Sequence, residues 1–249
     1  GYDYLGESGI GTIQYKDKKT KQSVDPGLII SGGAGIIDIC GKMRPEVGWG
    51  KIIWGLQNTP TIGVDPYIYA DYFKSLSMWR TTDAVESWSW EGYEGKKSTV
   101  TVYSDAAKVE LLVNGKSFGK KQPKKDIAKF KKIPYTAGRI EAVAYDVSGK
   151  ETGRTVLCSA TGKTHIKLTP ETTELKANGQ DLCFLNIDLV GENGITKSSA
   201  DQKLKVEVFG PATLQGYGSA RPTIEKSFCD DTFKTFFGKS LAVIRAGYE

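Results

Sequence analysis

Two acidic residues near the start of the chain, Asp3 and Glu7, could take part in proton transfer. A carboxylate pair can act as acid/base and nucleophile when the groups lie roughly 5–5.5 Å apart. Asp3 and Glu7 are four residues apart in a predicted loop, and nothing in this spacing fixes the distance between them. We therefore predict that both residues, with the neighbouring Tyr4, shape the loop or line the rim of a pocket rather than catalyse a reaction.

Trp88 and Trp90 share one face of their segment if it is extended, because side chains two residues apart in a strand point the same way. An indole offers a flat apolar face and an N–H donor, so the pair could form a stacking platform for a sugar ring. The alternative is a buried contact between neighbouring domains, which would leave an apolar patch open wherever the second domain is absent. We favour the interdomain contact.

Residues that could hold a metal or a cofactor are sparse. His165 is the only histidine, and it begins a predicted strand without a visible acid or nucleophile partner. The four cysteines are far apart and form no CxxC pair: Cys40, Cys158, Cys183 and Cys229. This pattern predicts no zinc site, and it favours buried free thiols over a Cys183–Cys229 bridge. Residues 216–218 (Gly-Tyr-Gly) are predicted to be a turn because neither the third glycine nor the helix of a dinucleotide motif follows them.

Lysine is concentrated in residues 116–132, whereas the whole chain has a formal net charge of only +5. One interpretation is a site for a polyanion. The other is a solvated edge strand that lysine protects against pairing with other chains. The segment has no arginine and lacks the interleaved aromatic pattern that base recognition uses. We favour the edge strand and predict no nucleic-acid partner.

The rest of the sequence is predicted to form a series of short strands separated by turns. Strand candidates lie near 87–90, 99–103, 109–113, 128–133, 140–145 and 155–158, and later at 165–168, 184–190, 204–209, 233–237 and 241–244. Asn and Gly tolerate positive φ, so Asn114–Gly115 predicts a two-residue hairpin turn. Residues 47–54 could form one or two helical turns with apolar residues on one side.

These patterns predict a mainly β chain in three parts. Residues 1–56 are mixed, 57–160 form a first immunoglobulin-like β-sandwich, and 161–249 form a second one. The sequence of the second sandwich stops just after a strand, so we expect its last strand to be missing. No apolar run approaches the ~18 residues that a membrane span needs.

Several segments carry a resemblance to a known family. In chain order they are Gly1–Glu7, Gly35–Gly41, Ile53–Gly55, Ser87–Gly92, the hairpin region 98–119, and Ala177–Leu182. The residues of these segments and their order along the chain resemble the C-terminal portion of family 2 glycoside hydrolases, the β-galactosidase-like enzymes. Around residues 30–34, where many relatives carry an aromatic or amide residue, this chain has small residues, so no sugar contact is carried over there.

The resemblance implies that residues 1–56 are the C-terminal remnant of a (β/α)₈ barrel whose two catalytic glutamates lie upstream of residue 1. The parent enzyme would then hydrolyse terminal β-glycosidic bonds, with β-galactosides as the leading substrate, and this chain alone would be inactive. Asp3, Tyr4 and Glu7 would lie at the rim of the intact pocket. Expected partners are a carbohydrate and the missing barrel, without a cofactor; an oligomer stays open, and a periplasmic or secreted setting is favoured over a cytoplasmic one.

Two other classes of function stay open. The sandwiches could be a carbohydrate-binding module that uses exposed aromatic residues, for which the candidates are Trp79, Trp88, Trp90 and Tyr217. They could also be a structural or adhesive spacer, because such sandwiches recur in cell-surface proteins.

Overall fold

The computed structural model describes residues 13–24, 28–29, 35–75, 80, 82–224 and 226–248. The chain divides into two compact units. The first unit comprises residues 1–26 and 31–159, and the second comprises residues 27–30 and 160–249. The finer division at residue 56 stays a prediction.

The described residues form one α-helix and seventeen strands. The elements up to residue 113 are β1 (Gln14–Lys16), β2 (Leu28–Ile29), α1 (Pro45–Ile53), β3 (Thr61–Val64), β4 (Phe73–Ser75), β5 (Lys97–Tyr103) and β6 (Lys108–Val113). The next are β7 (Lys116–Lys121), β8 (Ile127–Pro134), β9 (Arg139–Tyr145), β10 (Glu151–Cys158), β11 (His165–Pro170) and β12 (Leu182–Val190). The last are β13 (Lys203–Lys205), β14 (Ala212–Gly218), β15 (Thr223–Ile224), β16 (Thr232–Lys234) and β17 (Lys239–Ala246). The predicted mainly β fold is confirmed, while the barrel remnant over residues 1–56 stays a prediction.

The first unit is built around two facing sheets, β3-β5-β8 and β10-β9-β6-β7. Strand β8 shows why the sequence forms this layer, since it alternates buried Ala128 and Phe130 with exposed Lys129 and Lys131. This period of two places one side of the strand in the core and the other in water. Strand β9 lies between β10 and β6 and is therefore central in its sheet, and its apolar residues do not alternate cleanly with polar ones.

The hairpin predicted at Asn114–Gly115 is confirmed. Strands β6 and β7 pair on either side of it, with Val113 opposite Lys116. Asn114 has φ of 50° and Gly115 has φ of 79°, and two positive φ values define the turn whose twist matches that of the strands. The Asn114 side chain also fixes the neighbouring loop, donating to Ala137 O at 2.9 Å and accepting from Arg139 N at 2.8 Å.

Helix α1 begins and ends where the local chemistry allows. Pro45 occupies the first turn, where its missing N–H costs nothing. At the other end Gly55 has φ of 65°, Leu56 N donates to Lys51 O at 2.8 Å, and Gly55 N donates to Ile52 O at 3.0 Å. These two bonds form a Schellman motif, which satisfies carbonyls that the helix end would otherwise leave free.

The second unit has a four-stranded sheet in the order β11-β12-β17-β14, a small β13-β16 sheet, and a β15-β2 pair. Its core cluster contains Ile187, Tyr217, Phe233 and Ala242. Strand β11 is exposed along its whole length, and Ile166 and Leu168 are each 58% exposed. The core of this unit therefore thins towards β11.

Three strand predictions differ from the structure. The predicted strand 233–237 ends at Lys234 as β16, and Phe237 lies in a turn with φ of 51°. Residues 87–90 are irregular rather than a strand, with the nearest ladder contact a single bridge from Val85 to Val64. The predicted strand 204–209 shortens to β13, and Phe209 at its far end is 87% exposed. Residues 87–90 and 204–208 do alternate apolar and polar side chains, but the described part of the chain offers neither segment a partner strand along its full length, and a strand requires one.

Candidate functional site

The three predicted rim residues, Asp3, Tyr4 and Glu7, lie outside the described residues. Trp79, one of the aromatic candidates, lies outside them as well. Their role at a pocket rim or a sugar surface therefore stays a prediction.

Trp88 and Trp90 lie in the interior of the first unit, with no exposed surface. Both pack on Tyr67, at ring-centroid distances of 5.8 Å for Trp88 and 6.0 Å for Trp90. Tyr135 completes this aromatic cluster, 5.3 Å from Trp88 and 5.5 Å from Tyr67. Such distances are typical of tilted and edge-to-face aromatic pairs, which stabilise a core beyond the area that they bury.

The polar tips of the cluster are satisfied by nearby backbone. Trp88 Nε1 donates to Thr136 O at 3.1 Å, and Tyr67 OH donates to Ile133 O at 2.8 Å. Ser159 Oγ donates to Trp88 O at 2.6 Å and lies 3.1 Å from Tyr135 OH. Burial raises the pKa of Tyr67, so its hydroxyl stays protonated and remains a donor.

This geometry leaves no surface on which a sugar could stack at Trp88 or Trp90 in the structure, because stacking needs an open ring face. Tyr217 is likewise buried, at 1% exposure, and belongs to the core cluster of the second unit. The ring contacts of both tryptophans are made within the first unit, at residues 67 and 135, so these contacts are part of its own core rather than a contact between domains.

A half-buried charged cluster, which the sequence analysis missed, consists of Asp65, Lys74 and Asp83. Lys74 Nζ lies 3.3 Å from Asp65 Oδ2 and also contacts Asp83 Oδ1. The side chains of Lys74 and Asp65 are each 26% exposed, and that of Asp83 is 10% exposed. No spacing rule could have found the cluster, because its members come from one short strand and two irregular segments.

Burial shifts the pKa values of Asp83 and Lys74 in the directions that favour their neutral forms. Burial raises the pKa of Asp83 to about 7, and the Lys74 ammonium beside it favours the ionised form. Burial also lowers the pKa of Lys74, while Asp65 opposes that shift. A carboxyl group that titrates near neutrality could exchange a proton, but here its nearest partner is a lysine that neutralises it.

Helix α1 packs one face on the sheet and leaves apolar residues open at its end. Gly48 sits so close to Thr61 that an added Cβ would lie 2.1 Å from Thr61 Oγ1, so only glycine permits this approach. Beyond it, Ile53, Trp54 and Leu56 are 55%, 79% and 76% exposed and form what we call the α1 patch.

In the described ranges, no group of three or more His, Cys, Asp or Glu side chains could hold a metal ion. No helix in the same ranges has the length and apolar character needed to cross a bilayer.

Comparison with known proteins identifies the family. Residues 166–249 match the family model of glycoside hydrolase family 2 C-terminal domain 5, and residues 95–153 match a domain of unknown function (DUF4982). A solved glycosyl hydrolase family 2 member from Bacteroides cellulosilyticus is 32% identical, with a TM-score of 0.81 over 100% of this chain. The chain belongs to glycoside hydrolase family 2. It corresponds to the C-terminal part of a family 2 protein, which confirms the resemblance read from the sequence.

The relatives are much longer than the part that matches. Beta-galactosidase BoGH2A of Bacteroides ovatus is 34% identical over 146 residues, which are 57% of this chain and 17% of that protein. A beta-glucuronidase of Formosa agariphila is 28% identical over 158 residues, which are 61% of this chain and 16% of that protein. The chain also covers 32% of the Bacteroides cellulosilyticus structure. It therefore spans only a small share of the family 2 proteins that it matches.

Proposed function

We propose that this chain is the accessory C-terminal region of an enzyme that hydrolyses terminal β-glycosidic bonds, with β-galactosides as the leading substrate. The observation that carries the proposal is the 34% identity to Beta-galactosidase BoGH2A, combined with a match to only 17% of that protein. In this proposal the two units brace and border a catalytic domain rather than perform the chemistry, and the carbohydrate binds the whole enzyme.

The chemistry of the described residues supports an inactive accessory role. Hydrolysis with retention needs two carboxylates roughly 5–5.5 Å apart, with room for a sugar between them. Asp65 and Asp83 do approach each other, but through a shared contact with the Lys74 ammonium, which occupies the space between them. We propose that the catalytic glutamates lie upstream of residue 1 and that Asp3, Tyr4 and Glu7 border their pocket.

The α1 patch supports a contact with that upstream part. Ile53, Trp54 and Leu56 are large apolar side chains within four residues of sequence, each with more than half of its surface open. Apolar surface of this kind commonly marks a contact with other protein. We propose that the preceding portion of the same polypeptide, the catalytic barrel, covers it in the intact enzyme.

The test compares this chain with a version extended upstream through the whole barrel, on a panel of nitrophenyl β-glycosides. We expect turnover only by the extended version, and the sugar that it prefers identifies the substrate. Turnover by the 249-residue chain would contradict the proposal. In that case Asp3→Asn and Glu7→Gln would be the first variants, with Asp65→Asn as the matched control in the charged cluster.

A further inference from the structure

The positive charge of this chain is concentrated on one short segment. Residues 116–132 contain eight lysines, one aspartate and no other charged residue, a formal charge of +7 that exceeds the +5 of the whole chain. The remainder of the chain is therefore slightly acidic. All eight lysine side chains are exposed, and we call them the lysine strip: Lys116, Lys120, Lys121, Lys124, Lys125, Lys129, Lys131 and Lys132.

The fold gathers the lysine strip along one edge of the first sandwich. Strand β7 is the edge of the four-stranded sheet, and β8 is the edge of the three-stranded sheet. Lys121 Nζ donates to Lys129 O at 2.6 Å and lies 5.0 Å from the Phe130 ring centroid, so it links the two edges. The loop between the strands adds Lys124 and Lys125. The lysines of the two edge strands and of the loop between them thus lie along the same edge of the sandwich.

Little of this charge is neutralised. Among the described residues, Lys120 is the one member of the lysine strip with an ion pair, 3.4 Å from Glu110 Oε2, and it also lies 4.0 Å from the Tyr145 ring centroid. Like charges gathered on one surface create a positive potential that attracts anions and raises their local concentration. The surface therefore suits a partner that carries many negative charges along its length.

The side chains of the segment disfavour a nucleic acid as the polyanion. The segment has no arginine, the residue best suited to bidentate phosphate contacts, and its phenylalanines are buried or half-buried, at Phe130 and Phe118. Lysine ammonium groups act as adaptable point charges that can follow carboxylates or sulfates spaced along a flexible chain. We propose that the lysine strip binds an acidic polysaccharide and holds it on the enzyme; the choice of a glycan over another polyanion rests on the proposed function.

A competing role is protection of the two edge strands, because lysine on an edge discourages pairing with other chains. Protection predicts that neutral variants self-associate and that no glycan binds. It needs no long anion, so it is separable from binding by experiment.

The test measures binding of this chain to polygalacturonate, a polymer with a carboxylate on every sugar, by titration calorimetry at low and physiological ionic strength. Neutral dextran and a single-stranded polynucleotide serve as comparison polymers. The variant combines four substitutions that spare the contacts of Lys120 and Lys121: Lys124→Gln, Lys125→Gln, Lys129→Gln and Lys131→Gln. The control removes the same charge from exposed lysines of the second unit: Lys163→Gln, Lys167→Gln, Lys176→Gln and Lys203→Gln.

We expect salt-sensitive binding of polygalacturonate, no binding of dextran, a loss of about tenfold in affinity in the strip variant, and less than a twofold change in the control. The proposal is overturned if polygalacturonate does not bind, if both variants weaken equally, if dextran binds as well, or if the polynucleotide binds more tightly. Hydrolysis by the upstream-extended enzyme is measured separately, so active enzyme without polygalacturonate binding would overturn this inference and leave the proposed function standing.

Discussion

The charged cluster gives the sharpest test of the energetics of the first unit. Replacing Lys74 with Met keeps the length of the side chain but removes the ammonium that contacts Asp65 and Asp83. Breaking a buried ion pair by removing one partner costs about 3–5 kcal/mol, because the other charge is left unpaired. With Lys74 26% exposed, water screens part of this interaction, so we expect a loss of about 3 kcal/mol at pH 8.

The loss of stability caused by Lys74→Met should depend on pH in a defined direction. The pKa of Asp83 is about 7 in the folded protein, above the value of about 3.9 expected when unfolded. The folded state therefore holds a proton that the unfolded state releases between these values, and stability falls as the pH rises from about 4 to about 7. At pH 5 the Asp83 carboxyl is neutral and does not need the ammonium, so Lys74→Met removes only the half-buried contact with Asp65 and should cost about 1 kcal/mol there.

Tryptophan fluorescence can follow this unit alone, because all five tryptophans lie before residue 91. A loss of about 3 kcal/mol should lower Tm by roughly 6–12 °C for a unit of this size. The control is Asp83→Asn, which removes the titrating group and should abolish the pH difference. Burial also raises the pKa of Glu46, and the control separates its contribution from that of Asp83. Equal losses at pH 5 and pH 8 for Lys74→Met would refute the argument.

Two further predictions concern packing. Gly48→Ala should destabilise the first unit by about 1–3 kcal/mol, because the added Cβ would collide with Thr61. Gly50→Ala, in the same helix, meets nothing within 4 Å and should be neutral or stabilising by up to about 1 kcal/mol. Urea unfolding followed by fluorescence distinguishes the two variants, and equal effects would contradict the packing argument. In the second unit, Leu189→Ala should cost about 2–5 kcal/mol at 1% exposure, and Leu168→Ala less than about 1 kcal/mol at 58% exposure, as measured by calorimetry. If a further strand follows in the longer protein and covers β11, the cost at Leu168 should rise in a version extended beyond residue 249, and an unchanged cost would count against that strand.

Local signals in the sequence were sufficient for much of the fold. The hairpin at Asn114–Gly115 follows from two residues that tolerate positive φ, and the central position of β9 agrees with a sequence that does not alternate cleanly, with Ala142, Val143 and Ala144 in succession. Both features depend on a few neighbouring residues. The sequence predicts that Trp88 and Trp90 contact a neighbouring domain, whereas the structure buries them against Tyr67 and Tyr135 of the same unit, which lie far away in the sequence.

The charged cluster could not be predicted for a related reason. Asp65, Lys74 and Asp83 are polar residues in or beside short and irregular segments, where no periodicity assigns them to a common face. Only the tertiary arrangement brings them together and partly removes them from water. The lysine strip is an intermediate case: its composition was visible, but its position on the edges of two different sheets required the topology.

The position of β11 also has a consequence for how the second unit opens. In the part of the chain that the structure describes, strand β11 has one neighbour, β12, and all six of its residues are exposed, whereas β17 is paired on both sides, by β12 and β14. Local opening at β11 therefore breaks only one ladder of hydrogen bonds and exposes little buried apolar surface. Opening at β17 breaks two ladders and separates β14 from the rest of the sheet. Amide hydrogen exchange should consequently be graded across the sheet, fastest at β11 and limited by global unfolding at β17. The second unit would therefore open locally at β11 well before its core unfolds.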